Sequence, residues 1–297
     1  MNLLITGAFQ PTPAQKAQLE SGGYTLYFHA DERAAVPQPA RYDAVICNGL
    51  FLYQDIALFE NLKIIQLTSA GLDRVPVDVI HRRGIRLFNA GSAYSVPMAE
   101  WAVWGVLSLY KNAAFFQKNK AEKRWEKDRS IRLLARKTAL ILGYGNTGRQ
   151  IAKRLAAFDC RIIASDPAAA PDEWCHQLIA PDAADAWLPQ ADLVILTLPL
   201  TKETAHYLDA RRLSLLKEDA VLVNLSRGGL VDEDALCACL ARGKLLGCVL
   251  DVFEEEPLPP ESPLWQENRV LVTPHNSFVG EGNEERLFAV IAKNLLA

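Results

Sequence analysis

At 297 residues, half of them hydrophobic and 23% charged, the chain has the profile of a soluble globular protein with room for two domains. Its net charge of −3, with no basic cluster outside 118–136, offers little to a phosphate backbone and sets nucleic acid aside as a partner. No stretch approaches the roughly 18 apolar residues of a membrane span, and the N-terminus MNLLITGAFQPTP reads as a buried strand rather than a secretory leader.

In the first ninety residues, apolar runs at Asn2–Thr6, Thr25–His29, Ala44–Cys47, 64–68 and 85–89 predict buried strands, with helical stretches at 13–22 and 76–83 between them. Such alternation implies a doubly wound parallel sheet covered on both faces. Residues 32–41, with Val36-Pro37-Gln38-Pro39, read as a surface loop. From Val96 to about Lys120 the chain is apolar on nearly every helical face, including Met98, Trp101, Trp104 and Leu107. A surface helix does not carry that pattern, so this one either threads a core or pairs with a second copy. The charged run 118–132 follows as a solvated helix or arm. A second alternation predicts strands at Thr138–Leu142, Arg161–Ser165, 193–198, 220–225, 247–252 and 270–273, and helices at 147–158, 210–216, 232–242 and 284–296. Their number and spacing match a Rossmann sheet. The six cysteines lack zinc-knuckle or CxxC spacing and read as reduced thiols of a cytoplasmic protein. No metal site is expected: His29, His81, His176 and His206 lack partner spacing.

Gly143-Tyr144-Gly145-Asn146-Thr147-Gly148 follows the first strand of the second alternation and precedes a helical pattern. In that context Gly143 permits the tight turn, Gly145 admits a pyrophosphate and Gly148 allows close helix–strand packing. The diphosphate belongs at the helix N-terminus, near the N–H groups of Asn146 and Thr147. Asp166 ends the next strand, where a carboxylate accepts both ribose hydroxyls and repels a 2′-phosphate; the cofactor expected is therefore NAD.

Arg227, Glu256 and His275 each follow a strand of the same sheet, and ligands of open parallel sheets bind beyond the strands' carboxyl ends. Reduction of a 2-oxo acid needs a cation for the carboxylate and a proton donor at the carbonyl oxygen, roles that suit arginine and histidine, with a carboxylate to stabilise the imidazolium.

With these motifs in place, the chain resembles the D-isomer-specific 2-hydroxyacid dehydrogenases over nearly its whole length. The shared features are Ser69-Ala70-Gly71-Leu72-Asp73, Met98-Ala99-Glu100, the glycine motif, Leu198-Pro199-Leu200-Thr201, the run 224–229, the run 250–257 and Thr273-Pro274-His275-Asn276-Ser277. The resemblance implies a flavodoxin-like substrate domain (1–93 with 276–297) and a Rossmann NAD domain (94–275), with the site in a cleft that closes over substrate. It makes Arg227, Glu256 and His275 catalytic and assigns the substrate carboxylate to Arg227 and the N–H groups of Ala70 and Gly71. It puts Pro199, Thr204, Leu225, Asp251 and Ser277 at the cofactor, Asp251 at the nicotinamide carboxamide, and Phe51 and Tyr53 near the substrate pocket. It further implies a homodimer through the 96–132 helix and arm. The chain ends sooner after its last helix than many such proteins, so less complete docking of that helix is expected. Glu256, where formate dehydrogenases have Gln, disfavours formate. Other readings are an NAD(H)-sensing partner-binding protein of the corepressor type, and oxidation of phosphite or another oxyanion.

Overall fold

The computed structural model describes residues 1–296 as two compact units. The first comprises Met1–Tyr94 and the segment from Gly280; the second is Ser95–Val279. In the first, β1 (Asn2–Thr6), β2 (Thr25–His29), β3 (Ala44–Cys47), β4 (Ile64–Leu67) and β5 (Arg86–Phe88) form a parallel sheet of order β2-β1-β3-β4-β5. This is the flavodoxin-like order. Every residue of β3 and β4 is buried, which is why they read as apolar runs, broken only by Gln66: parallel strands are covered on both faces. α1 (Pro13–Ser21) starts at a reciprocal cap, the Thr12 hydroxyl accepting from the Gln15 N–H and the Gln15 side chain from the Thr12 N–H. α2 (Val77–Arg82) links β4 to β5.

The terminal helix, which we number α8 (Asn283–Leu295), is fully docked on the first unit, contrary to expectation. Its Leu287, Phe288, Ile291 and Leu295 share one stripe and pack with Leu3, Ile5, Ala44 and Ile46. Two polar bonds fix its end: the Tyr24 hydroxyl donates to the Leu295 carbonyl at 3.0 Å, and the Asn294 amide to buried Gln66 at 2.8 Å. The division also falls elsewhere than 93/94 and 275/276. Tyr94 stays with the first unit, its hydroxyl bonded to the Thr68 carbonyl. Residues 276–279 stay with the second, where the Asp251 carboxylate holds the N–H groups of Asn276 and Ser277.

The second unit is a seven-stranded parallel sheet: β6 (Thr138–Leu142), β7 (Arg161–Ser165), β8 (Gln177–Ile179), β9 (Leu193–Leu196), β10 (Val221–Asn224), β11 (Gly247–Leu250) and β12 (Val270–Val272). Its order, β12-β11-β10-β9-β6-β7-β8, is the Rossmann arrangement with one further strand. Three-residue β8 is an edge strand that the sequence reading lacked, and the crossover 166–176 leading to it carries no helix. α3 (Ser95–Tyr110) packs on α5 (Asn146–Ala156), β10 and β11 through Ala99, Ala102, Gly105 and Val106. A Cβ on Gly105 would lie 2.6 Å from Val249, so helix and sheet touch there. The long apolar segment is not one helix: Asn112 takes a left-handed φ of 49° and α4 (Ala113–Ala121) begins anew. Beyond it, 122–136 has no regular secondary structure, and Trp125 is 99% exposed. α6 (Ala210–Leu215) and α7 (Glu233–Ala241) cover the opposite face.

Candidate active site

The β6–α5 turn forms as its glycines require. Gly143 has φ +98°, and a Cβ there would stand 2.7 Å from the Thr197 carbonyl carbon. A Cβ on Gly148 would lie 2.3 Å from the Gly143 oxygen, whereas at Gly145 nothing lies within 4 Å. Two glycines thus allow close backbone packing, and the middle one opens space above the turn. Asn146 and Thr147 start α5, whose N-terminus carries no side-chain cap, leaving its N–H groups for an anion. Thr197, absent from the sequence reading, donates to the Gly143 carbonyl at 2.6 Å and ties the turn to the end of β9. Asp166 stands at the end of β7, accepting from the N–H groups of Tyr144 (2.8 Å), Ala168 (2.8 Å) and Ala169 (2.9 Å).

These features fit an extended dinucleotide: room over Gly145, an open helix N-terminus for the diphosphate, and a carboxylate at the next strand end. Pro199 and Thr204 form one structure after β9, the Thr204 hydroxyl donating to the Pro199 carbonyl at 2.7 Å. Leu225 puts its side chain into the core beneath the sheet. Ser277 is 1% exposed, and its hydroxyl oxygen has no hydrogen-bond partner among the described residues. A buried orphan hydroxyl is costly, and a bound polar group would relieve it.

Glu256 and His275 come together from the loops after β11 and β12. His275 Nδ1 lies 2.8 Å from Glu256 Oε2, while Glu256 Oε1 accepts from the Phe253 N–H at 3.1 Å. His275 takes φ +50°, a conformation that disfavours side chains, and its N–H bonds to the Asp251 carbonyl at 2.8 Å. Phe278 packs edge-on to the imidazole, with ring centroids 6.0 Å apart. Asp251 itself is fully buried, its carboxylate accepting from the Thr273 hydroxyl (2.6 Å) and from the N–H groups of Asn276 and Ser277 (2.8 Å each). It anchors the histidine loop.

Arg227 follows β10. Asn224, 1% exposed, braces its loop by accepting from the Ser226 N–H and donating to the Arg227 carbonyl at 2.9 Å. The Ser226 hydroxyl bonds the Leu198 carbonyl, and an Arg227 Nη1 donor reaches the Ser226 carbonyl at 2.8 Å. A Cβ on Gly228 would fall 1.8 Å from the Phe253 carbonyl carbon, so the arginine loop and the loop leading to Glu256 touch at their backbones. Asn224, Ser226 and Gly228 are the supporting residues that sequence reasoning missed; their signal was small or polar residues at the end of an apolar strand.

In the first unit, Ala70 and Gly71 follow β4. The Asn89 side-chain amide donates to the Ala70 carbonyl at 2.7 Å while its oxygen accepts from the Gly91 N–H at 3.0 Å, and the Ser69 hydroxyl donates to the Gly71 carbonyl at 3.2 Å. Neither the Ala70 nor the Gly71 N–H donates to any described residue. Tyr53 is 57% exposed, while Phe51 packs edge-on against Phe59. Among the described residues, no group of three or more His, Cys, Asp or Glu could hold a metal ion, and no helix is long and apolar enough to cross a membrane.

Comparison with known proteins accords with this geometry. The family D-isomer specific 2-hydroxyacid dehydrogenase, NAD binding domain, matches residues 103–277. A glyoxylate reductase of Thermofilum pendens is 32% identical over 80% of this chain and 72% of its own. The chain spans half or less of the D-3-phosphoglycerate dehydrogenases it also matches, 48% of one and 41% of another. Two solved structures cover 99% of the chain. One, a D-lactate dehydrogenase from Aquifex aeolicus complexed with NAD and lactic acid, has a TM-score of 0.82, 25% identity and 94% of its length covered. The other, a D-isomer specific 2-hydroxyacid dehydrogenase from Xanthobacter autotrophicus Py2 in complex with NADPH and MES, has a TM-score of 0.81, 27% identity and 93% covered. The chain belongs to the D-isomer specific 2-hydroxyacid dehydrogenases, NAD-dependent oxidoreductases that interconvert 2-hydroxy and 2-oxo acids.

Proposed function

We propose that the chain reduces a small 2-oxo acid to its D-2-hydroxy acid, reversibly, with Arg227, Glu256 and His275 as the catalytic set. The observation that carries this is the 2.8 Å contact of His275 Nδ1 with Glu256, which leaves Nε2 as the proton-transferring atom. NAD, when bound, supplies or accepts the hydride. Gly143, Gly145, Asn146, Thr147 and Gly148 hold its diphosphate, Asp166 its adenosine ribose, and Pro199, Thr204, Leu225, Asp251 and Ser277 its nicotinamide half. Arg227 takes the substrate carboxylate in its planar fork. His275 gives a proton to the substrate oxygen in reduction and takes it back in oxidation, while Glu256 holds the ring and stabilises its charged form.

The test is a panel of glyoxylate, hydroxypyruvate, pyruvate and larger 2-oxo acids, followed by NADH absorbance, with formate and phosphite in the oxidative direction. Turnover of at least one 2-oxo acid is expected, with formate and phosphite inert. Folded, NADH-binding protein that turns over none of them would overturn the assignment and favour a sensing role.

A second observation supports a homodimer. The outer face of α3 opens a groove of about 630 Å³ with Val103, Trp104, Leu107, Ala113, Ala157 and Phe158 along it, and Trp104 is 48% exposed. An apolar groove of this kind suits an interface, and the occupant we propose is the same helix of a second copy. Sedimentation should find a dimer, and Trp104→Glu a monomer; a monomeric parent chain refutes it. The net charge of −3 and the reduced thiols suit a cytoplasmic enzyme with no nucleic-acid partner.

A further inference from the structure

We propose that Arg149 is a latent ligand for a 2′-phosphate, kept from that role by Asp172, so that the choice of NAD over NADP rests on two carboxylates. The inference builds on the reading of Asp166 as the ribose-binding residue.

With no helix in the crossover 166–176, its shape depends on side chains. Asp166 fixes its first turn through the bonds from Tyr144, Ala168 and Ala169. Asp172 fixes its middle. One oxygen accepts from the Tyr144 hydroxyl at 2.6 Å and the Trp174 N–H at 3.1 Å; the other accepts from Arg149 at 2.8 Å. A second Arg149 nitrogen donates to the Ala170 carbonyl at 2.7 Å, and the guanidinium lies 4.7 Å from the centre of the Tyr144 ring. Burial works against ionisation of Asp172, but the bonds from Tyr144 and Arg149 outweigh it and hold the carboxyl below its ordinary range. The guanidinium is thus held by a carboxylate, a carbonyl and a ring face.

Its position makes that arrangement consequential. Arg149 directly follows Gly148 in the first turn of α5, the helix whose N-terminus is open for the diphosphate. A cation there opposes the helix dipole unless it is paired. It binds the carbonyl of Ala170, four residues beyond Asp166, so the fork already reaches the crossover that starts at the ribose carboxylate. Arginine is the side chain best suited to a phosphate dianion. Lys153 lies further along α5, engaged with the Trp174 ring at 5.8 Å. Asp166 therefore repels a 2′-phosphate directly, and Asp172 withholds the cation that would receive it.

The test is equilibrium binding of NADH and NADPH, read by nicotinamide fluorescence, for wild type, Asp166→Ala, Asp166→Ala with Asp172→Ala, and that pair with Arg149→Gln. One freed charge-assisted contact should tighten NADPH by about tenfold when Asp172→Ala joins Asp166→Ala, with NADH changed far less. The gain should shrink with added salt and vanish with Arg149→Gln. Asp172→Asn keeps an acceptor for Tyr144 while removing the charge that holds Arg149, and decides the matter should the alanine variant unfold. No NADPH gain in protein that binds NADH, or a gain that survives Arg149→Gln, overturns the latch alone. Wild-type protein that binds neither dinucleotide overturns the cofactor reading and the latch together.

Discussion

Exchanging Asp251 for Asn tests whether one buried carboxylate sets the position of His275, the proposed proton donor. Asp251 receives three donors, the Thr273 hydroxyl and the N–H groups of Asn276 and Ser277, and has no solvent exposure to soften a mismatch. Asparagine keeps one acceptor oxygen and turns an NH₂ toward at least one of those donors, so a donor faces a donor in a dry site. A buried unsatisfied donor costs ~1–3 kcal/mol and a hydrogen bond to a carboxylate contributes a similar amount, which sets the loss at about 3 kcal/mol. For a unit of this size each kcal/mol lowers Tm by roughly 2–4 °C, giving a fall of about 6–12 °C. Turnover should suffer separately. His275 holds its φ of +50° with its own N–H on the Asp251 carbonyl, and loosening the loop lets it relax. A displacement near 1 Å costs on the order of a hundredfold in rate. Urea unfolding and kcat at 25 °C are the assays, with Thr273→Val, which deletes only the hydroxyl bond, as a calibrating variant expected to lose about 1 kcal/mol. Asp251→Asn protein within about 0.5 kcal/mol of wild type, with kcat unchanged, would refute the anchoring role.

His275→Ala should abolish turnover while leaving NADH binding within a few-fold by fluorescence titration; retained turnover removes the histidine from the mechanism. Gly228→Ala forces a Cβ into the Phe253 backbone, 1.8 Å from its carbonyl carbon, and something must shift. Overpacking of this kind costs ~1–3 kcal/mol or more, and separation of the Arg227 and Glu256 loops should lower kcat/KM by at least a hundredfold. A variant with the wild-type Tm and rate would contradict the close approach. Asp192, 7% exposed, is opposed by burial but bonded by Lys217 at 2.5 Å and the Thr138 N–H at 2.9 Å, and its pKa falls below the ordinary 3.8. A depressed carboxylate pKa contributes stability that is present above the unfolded value and lost as pH falls through the folded one. The gap in stability between wild type and Asp192→Asn should therefore close as pH drops from about 5 toward 2, measured by urea unfolding. A gap independent of pH would show that the ion pairs with Lys217 and Lys137 contribute nothing.

The strands were legible because a parallel sheet buries both faces, so β3 and β9 stand out as uninterrupted apolar runs, and β4 and β10 as runs broken only by buried Gln66 and Asn224. The proposed catalytic set was legible for a related reason: each residue lies a few positions beyond such a run, where the architecture places ligands. What stayed hidden depends on single residues or on contacts between distant loops. A left-handed Asn112 splits α3 from α4 without disturbing the hydrophobic period on either side. β8 is too short to carry an alternation, and the crossover before it, with two prolines among its eleven residues, offers no helical period to read.

The hidden contacts share one feature: they fix backbone where the legible residues supply chemistry. Arg227 and Glu256 are twenty-nine positions apart, yet their loops touch because Gly228 has no side chain and Asn224 folds the arginine loop back on itself. Glu256 and His275 meet because Asp251 holds the residues on the far side of the histidine. Each of these supporting residues is buried and bonds backbone or has no side chain at all, so none advertises a function in isolation. Removing one should then act on geometry before binding, lowering kcat more than it raises KM. That split separates the bracing residues from Arg227, whose loss should move both constants together.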